Sequence, residues 1–301
     1  MQSTLNTPPY LKKGDKIAIT CPAKKLPHDI NSAIALLESW GLEVVLGETV
    51  YASHHQFAGD DQVRARDLQR FLDDAEIKAI VAARGGYGTI RIIDQLDFSA
   101  FSLNPKWLIG FSDITVLHSH IHQNFNIPTI HGQMPLNVPD ATKPSLESLR
   151  KALFGEELEY LLDSNKLNIL GEVTAPLIGG NLSLLVMMSG SASEMDFKGK
   201  ILFMEDVGEY LYAVDRMLWS LKRAGKLKDL AGLIVGGFTG MKDNDEPFGQ
   251  SVEEIILNLV EEYKYPVCFG FPAGHLSDNH AIIFGKNVYL NISANQVQVK
   301  L

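Results

Sequence analysis

A serine lies within Gly110-Phe-Ser-Asp-Ile114, preceded by the apolar run Trp107-Leu-Ile109 and followed by a helix-like segment starting near Asp113. A sharp strand-to-helix turn of this kind lifts a serine hydroxyl above the end of a sheet. It also leaves the next backbone N–H, here that of Asp113, facing any oxyanion that develops there. Ser112 is therefore a candidate nucleophile. The match to a G-x-S-x-G elbow is incomplete, because Ile114 stands where the second glycine would be. The plainer alternative has Ser112 capping the helix, with Asp113 in its first turn.

A serine hydroxyl is almost entirely protonated at neutral pH, so it needs a base within hydrogen-bond reach and a third group to orient that base. Nine histidines are available. His118, His120 and His122 follow Ser112 on the expected helix, where His118 and His122 share a face. No nearby Cys, Asp or Glu completes a metal-binding set with them, so they read as surface or packing residues. His275 lies instead in the turn-rich segment Gly270-Phe-Pro-Ala-Gly-His-Leu-Ser-Asp-Asn279, and loops on a rigid scaffold are where catalytic side chains concentrate. His280 competes with it, although its place directly before an apolar run also suits a strand edge. For the third group, Glu205 and Asp206 end the apolar run Ile201-Leu-Phe-Met204. Neighbouring strand residues point to opposite faces, so one of the two carboxylates can face a site, and spacing alone does not say which. A solvated strand end is the ordinary alternative.

A second turn, Ala83-Arg-Gly-Gly-Tyr-Gly88, follows the apolar run at 79–83. It suits a tight strand-to-helix turn or a phosphate cradle. A nucleotide reading would need an acidic ribose ligand about 20 residues further on, and Asp97 and Asp113 stand in unsuitable contexts. Arg84 could grip a terminal carboxylate with two parallel hydrogen bonds, or pair with Asp113 to shape the turn. Arg84, Gly85, Tyr87 and Asn181 are candidate substrate contacts. Aromatic packing and a helix cap are the plain alternatives for Tyr87 and Asn181.

The elements that must carry these residues alternate. Strands are expected at 16–21, 42–46 and 79–83, and helices at 30–40 and 61–73. Buried strands separated by helices imply a parallel sheet covered on both faces, with ligands beyond the carboxyl ends of its strands. Both turns lie there. Between 137 and 170 the chain becomes polar and proline-bearing, with a helix near 145–154, and reads as a passage between two domains. Strands are then expected at 173–177, 201–204, 233–237, 281–284 and 288–292, and helices at 182–188, 212–224 and 252–263. The domain ranges that follow are 1–140, a connecting region 141–172, and 173–301.

Composition excludes several classes. The chain has 301 residues, 46% of them hydrophobic, and a formal charge of −9 with both signs interspersed. Nucleic acid and anionic membrane surfaces are therefore not expected partners. Cys21 and Cys268 are far apart, each in or beside an apolar run, and read as core residues rather than a disulfide or metal pair. The amino-terminal ten residues lack a basic region followed by an apolar stretch, and no run approaches the ~20 apolar residues of a spanning helix, so a cytoplasmic location is expected.

Five segments in order resemble the serine LD-carboxypeptidase family, peptidase family S66, which includes murein tetrapeptide carboxypeptidases and microcin C7 immunity proteins. The segments are Ala83-Arg-Gly-Gly-Tyr-Gly88, Trp107-Leu-Ile-Gly-Phe-Ser-Asp113, Ile178-Gly-Gly-Asn-Leu-Ser183, Leu202-Phe-Met-Glu-Asp-Val-Gly-Glu209 with Asp215-Arg-Met217, and Gly270-Phe-Pro-Ala-Gly-His275. The resemblance covers nearly the whole chain and implies a triad of Ser112, Glu205 and His275. It also implies an α/β fold, with an N-terminal flavodoxin-like (class I glutamine amidotransferase-like) parallel-sheet domain and a C-terminal swivelling-type β/α domain. The site would lie between them, in a homodimer needing neither metal nor cofactor. One departure is Gln133, where the family more often has proline, which bears on local loop shape. The oxyanion would be held by the N–H groups of Asp113 and Gly86, since a residue without a side chain lets backbone approach the substrate.

The implied activity is release of the terminal D-alanine from the murein tetrapeptide L-Ala-D-Glu-meso-diaminopimelate-D-Ala during cell-wall recycling. An alternative within the family is cleavage of a toxic acyl-sulfamoyl or acyl-phosphoramidate adenylate. That role needs an aromatic platform for the adenine, and no aromatic-rich insertion occurs between Asn137 and Val173. A third reading is a non-catalytic muropeptide-binding module, against which all three triad residues argue.

Overall fold

The computed structural model describes residues 5–301, so the first four residues of the amino-terminal stretch lie outside it. In chain order the elements are β1 (Lys16–Thr20), α1 (Asn31–Ser39), β2 (Glu43–Leu46), α2 (Asp61–Asp73), β3 (Ile77–Ala82), α3 (Ser99–Leu103), β4 (Trp107–Gly110), α4 (Thr115–Phe125), β5 (Thr129–His131) and α5 (Lys143–Phe154). They continue with β6 (Glu159–Asp163), β7 (Gly171–Asn181), α6 (Leu182–Met187), β8 (Ile201–Val207), α7 (Leu211–Arg223), β9 (Gly232–Thr239), α8 (Val252–Val260), β10 (Val267–Gly274), β11 (Ile282–Phe284), β12 (Asn287–Ile292) and β13 (Gln296–Lys300).

Two mixed sheets result. The first has the order β11-β5-β4-β3-β1-β2. Its strands β1 to β5 pair in parallel, and β11 adds antiparallel to β5. Strand β4 is buried along its length, as a parallel sheet with both faces covered requires. The second sheet has the order β10-β9-β8-β7-β12-β13-β6, parallel from β7 to β10 and antiparallel from β7 through β6.

Strands β5, β6 and β13 were not expected, and β11 lies in a different sheet from the one expected. Strand β6 lies in the polar stretch read as a passage, because only Tyr160 in it is fully buried and charged residues stand at both ends. Strand β11 was expected, but as part of the second domain, whereas it completes the first sheet by pairing with β5. Helix starts follow local chemistry: Asp60 accepts from the Val63 N–H at 2.8 Å to open α2, and Ser251 with Glu254 forms a capping box for α8.

The sheets share two apolar layers. Ile80 and Leu108 meet a layer that includes Leu202, Met204 and Val235, while Trp107 and Ile109 belong with Leu177, Phe203 and Ile234. Alternate residues of one strand thus feed opposite layers. Cys21 and Cys268 are buried and unpaired as expected, and burial pushes both thiols up to about 12. Among the described residues no helix is long and apolar enough to cross a membrane.

The seam that matters for the serine turn is between α4 and β7. Thr115 Oγ1, at the start of α4, accepts from the Asn181 N–H at 3.0 Å. Gly180 has φ +142°, and a Cβ there would collide with the Thr115 side chain. Gly180→Ala is therefore expected to lower stability by about 2 kcal/mol, through overpacking at a backbone conformation alanine tolerates poorly. Thermal unfolding beside the parent protein checks this; an unchanged Tm would contradict the tight seam.

Candidate active site

Ser112 follows β4 by two residues and has φ +64°, in the left-handed region where a side-chain-bearing residue costs about 1–3 kcal/mol. The turn is tight on both sides. A Cβ on Gly110 would lie 2.8 Å from Ile114 Cγ1, so the isoleucine in place of the second elbow glycine packs over a bare Gly110. A Cβ on Gly85 would lie 2.8 Å from Ser112 Cβ and 3.1 Å from Oγ. Only glycine at position 85 leaves the hydroxyl its space.

The second sheet brings the other two groups to that hydroxyl. His275 directly follows β10, and its Nε2 is 3.1 Å from Ser112 Oγ, while its Nδ1 is 2.6 Å from Glu205 Oε2. A carboxylate only accepts, so Nδ1 carries the proton toward Glu205 and Nε2 is left to accept from the Ser112 hydroxyl. Burial pulls the imidazole pKa down, but the Glu205 hydrogen bond and charge, with a smaller contribution from Asp206, outweigh it and leave it above the ordinary 6.5. The Phe111 ring meets the imidazole edge-on at 5.0 Å.

Local irregularities aim these side chains. The pairing of β8 with β9 shifts register between Met204 and Asp206, and bulges of this kind redirect side chains beside active sites. Glu205 is fully buried and faces His275. Asp206 faces elsewhere, accepting from Asn181 Nδ2 at 2.9 Å and from the Ser183 N–H at 2.9 Å. Gly274 lets the loop cross the carboxylate, since a Cβ there would lie 2.8 Å from Glu205 Oε2. Asn279, which sequence reasoning passed over although it ends the quoted loop, fixes that crossing: its Oδ1 accepts from the Gly274 N–H at 2.8 Å and stands 3.1 Å from His131 Nε2.

The remaining candidates divide. Asp113 is buried, and burial raises its carboxyl above the ordinary range, against the opposing hydrogen bonds from Thr89 and Gly88. Its Oδ2 accepts from the Thr89 N–H at 2.8 Å. Among the described residues neither the Gly86 nor the Asp113 N–H has a hydrogen-bond partner. Arg84 does not pair with Asp113; its Nη1 donates to the Lys25 carbonyl at 2.7 Å. Tyr87 is exposed, with its ring 6.1 Å from that of Phe57. Asn181 is buried, and its amide is occupied by Asp206 and by the Leu184 N–H that it caps. Lys24, not singled out in the sequence, lies along the glycine turn, against the place a Gly86 Cβ would take.

His118 and His280 take packing roles. His118 Nε2 is 2.9 Å from the Gly110 carbonyl and Nδ1 is 2.8 Å from Thr129 Oγ1, and its burial lowers its pKa to about 4. His280 lies 3.2 Å from Asp278 and against the Tyr160 ring. Gln133, the departure from the family pattern, is buried and donates to the Ser277 carbonyl at 2.9 Å, tying its loop to the one after His275. Among the described residues no group of three or more His, Cys, Asp or Glu is placed to hold a metal ion.

Comparison with known proteins finds matches to the LD-carboxypeptidase N-terminal domain over residues 17–132 and the LD-carboxypeptidase C-terminal domain over 174–290. The chain is 38% identical over 291 residues to a probable murein peptide carboxypeptidase of Bacillus subtilis, covering 94% of this chain and 91% of that protein. A solved structure of muramoyltetrapeptide carboxypeptidase from Oxalobacter formigenes is 30% identical with a TM-score of 0.86, over 95% of this chain and 98% of the other. MccF in complex with glutamyl sulfamoyl guanosine superposes with a TM-score of 0.87 over 99% of both chains. At 19% identity that likeness speaks for the fold alone.

Labelling of Ser112 by a fluorophosphonate should rise with pH along a limb lying above 6.5, because the raised His275 pKa keeps the imidazole protonated, and unable to take the serine proton, below it. Glu205→Gln removes the main raising interaction, so the limb should move to lower pH while the plateau rate falls by about 10⁴-fold. A limb that stays in place would show that Glu205 does not set the base.

Proposed function

Because the chain belongs to the LD-carboxypeptidase family, peptidase family S66, we propose that it is the serine peptidase that releases the terminal D-alanine of murein tetrapeptide by hydrolysing the L,D-peptide bond. The observation that carries this reading is the continuous Ser112–His275–Glu205 relay, 3.1 Å and 2.6 Å in its two steps. His275 Nε2 takes the Ser112 proton as Oγ attacks the diaminopimelate carbonyl, and Glu205 steadies the imidazolium that forms. The tetrahedral oxyanion is held by the N–H groups of Asp113 and Gly86, each worth about 3 kcal/mol. His275 then gives its proton to the departing D-alanine amine. Water, activated by the same imidazole, hydrolyses the acyl-enzyme.

The substrate's terminal carboxylate is assigned to Arg84, with Lys24 beside it and Gly85 and Tyr87 shaping the turn. This local positive charge offsets the overall −9 for an acidic peptide. We give Asn181 a positioning part instead, since its amide is already occupied. The first sheet's parallel order β2-β1-β3-β4-β5 supports a flavodoxin-like assignment. The swivelling-type second domain and the homodimer rest on the family resemblance, while the ranges 1–140, 141–172 and 173–301 and the cytoplasmic location rest on the sequence pattern alone.

Mass spectrometry of murein tetrapeptide incubated with the protein should show loss of one D-alanine, absent with Ser112→Ala. A folded protein that labels at Ser112 but releases nothing from tetrapeptide would overturn the substrate, and acyl-adenylate analogues would be tried next.

A further inference from the structure

Arg64 on α2 is fully buried, yet its guanidinium is spent almost wholly on main-chain carbonyls. Nη1 donates to the carbonyls of Pro22 at 2.6 Å and Gly88 at 2.9 Å, Nε donates to that of Gly59 at 3.4 Å, and Nη2 donates to the Asp61 carboxylate. The Phe57 ring lies 4.8 Å from the guanidinium carbon. Pro22 follows β1, Gly59 precedes α2 and Gly88 ends the glycine turn, so one rigid fork ties three loops together. Contact with the turn is direct: a Cβ on Gly88 would lie 2.8 Å from Nη1.

The next residue is held by a second buried side chain. Thr89 donates its N–H to Asp113 Oδ2 at 2.8 Å, and Asp113 is the residue whose own N–H is assigned to the oxyanion. Gly88 and Thr89 are thus pinned in succession, one to Arg64 and one to Asp113, just beyond the free N–H of Gly86. Burying a guanidinium is costly unless its donors are matched. Here the matched acceptors are the carbonyls that set where the glycine turn stands.

We propose that Arg64 is a positioning residue for the oxyanion site: its buried fork sets the spacing between the Gly86 and Asp113 N–H groups. The proposal rests on the assignment of those two donors under the proposed function, and it does not depend on which peptide is the substrate. Its action on the reaction is through the turn alone, so it should affect stabilisation of the tetrahedral state without altering the base.

A fluorophosphonate tests this, because its phosphoryl oxygen occupies the oxyanion position as Ser112 attacks. In Arg64→Met, kinact should fall by about 10–100-fold, less than the loss of a whole donor, with KI nearly unchanged and the pH limb set by His275 where it is in the parent. Arg64→Lys keeps a charge beside Asp61 but not the fork, and it should recover part of the rate. It also decides the matter if the Met variant fails to fold. Parent-like kinact in either folded variant, or a shifted pH limb, would overturn the proposal. Failure of both variants to fold would overturn it too, by making Arg64 a requirement of the fold instead. A parent protein that labels normally but releases no D-alanine would count against the substrate and leave this inference standing.

Discussion

The hydroxyl of Ser112 comes from one sheet, and its imidazole and carboxylate from the other, so a 3.1 Å hydrogen bond must be kept across a seam between separately wound parts of the chain. Such a bond is lost with a displacement of about 1 Å. The structure meets that requirement with close backbone approach. Across the seam Gly180 abuts Thr115 at the start of α4, and on its two sides Gly85 abuts Ser112 and Gly274 abuts Glu205, in each case where a Cβ would intrude. Apolar layers running through both sheets resist shear at the seam. They also hold Ser112 in a backbone conformation that it would not adopt by itself.

Charge is placed under the same constraint. A fully buried Glu205 is tolerable because His275 stands 2.6 Å away, where their attraction is screened less than it would be in water. The raised imidazole pKa follows from that pairing and not from burial, which acts in the opposite direction. Asp206, next in sequence, binds Asn181 and Ser183 and so locks the end of β7 to the start of α6. Two adjacent carboxylates thereby take separate partners, one the His275 imidazole and the other the corner between β7 and α6.

The nucleophile turn and the glycine turn were legible because each is a local event, a strand ending in small residues before a helix. Most strands and helices followed from apolar runs and periodicity for the same reason. The choices between Glu205 and Asp206, and between His275 and His280, were not legible from residue types. A bulge in β8 and a glycine crossing at Gly274 decide which side chain meets Ser112, and neither leaves a mark in hydrophobic pattern; the loop setting only favoured His275, and the family resemblance alone singled out Glu205. Strand β6 was hidden by its exposure, and the transfer of β11 to the first sheet is a long-range pairing that a single sequence does not encode locally. Arg64, Lys24 and Asn279 were missed because their partners are distant backbone groups or side chains brought together only by folding.

The central claim is that Ser112, His275 and Glu205 act as one unit across the seam, and non-additivity tests it most directly. Turnover of tetrapeptide should be measured for Ser112→Ala, His275→Ala and Glu205→Gln, singly and combined. If the three form one relay, the combined variant is no slower than Ser112→Ala alone, because removing the nucleophile already forfeits what the other two supply. Losses that multiply across the three substitutions would contradict the account, showing groups that contribute independently.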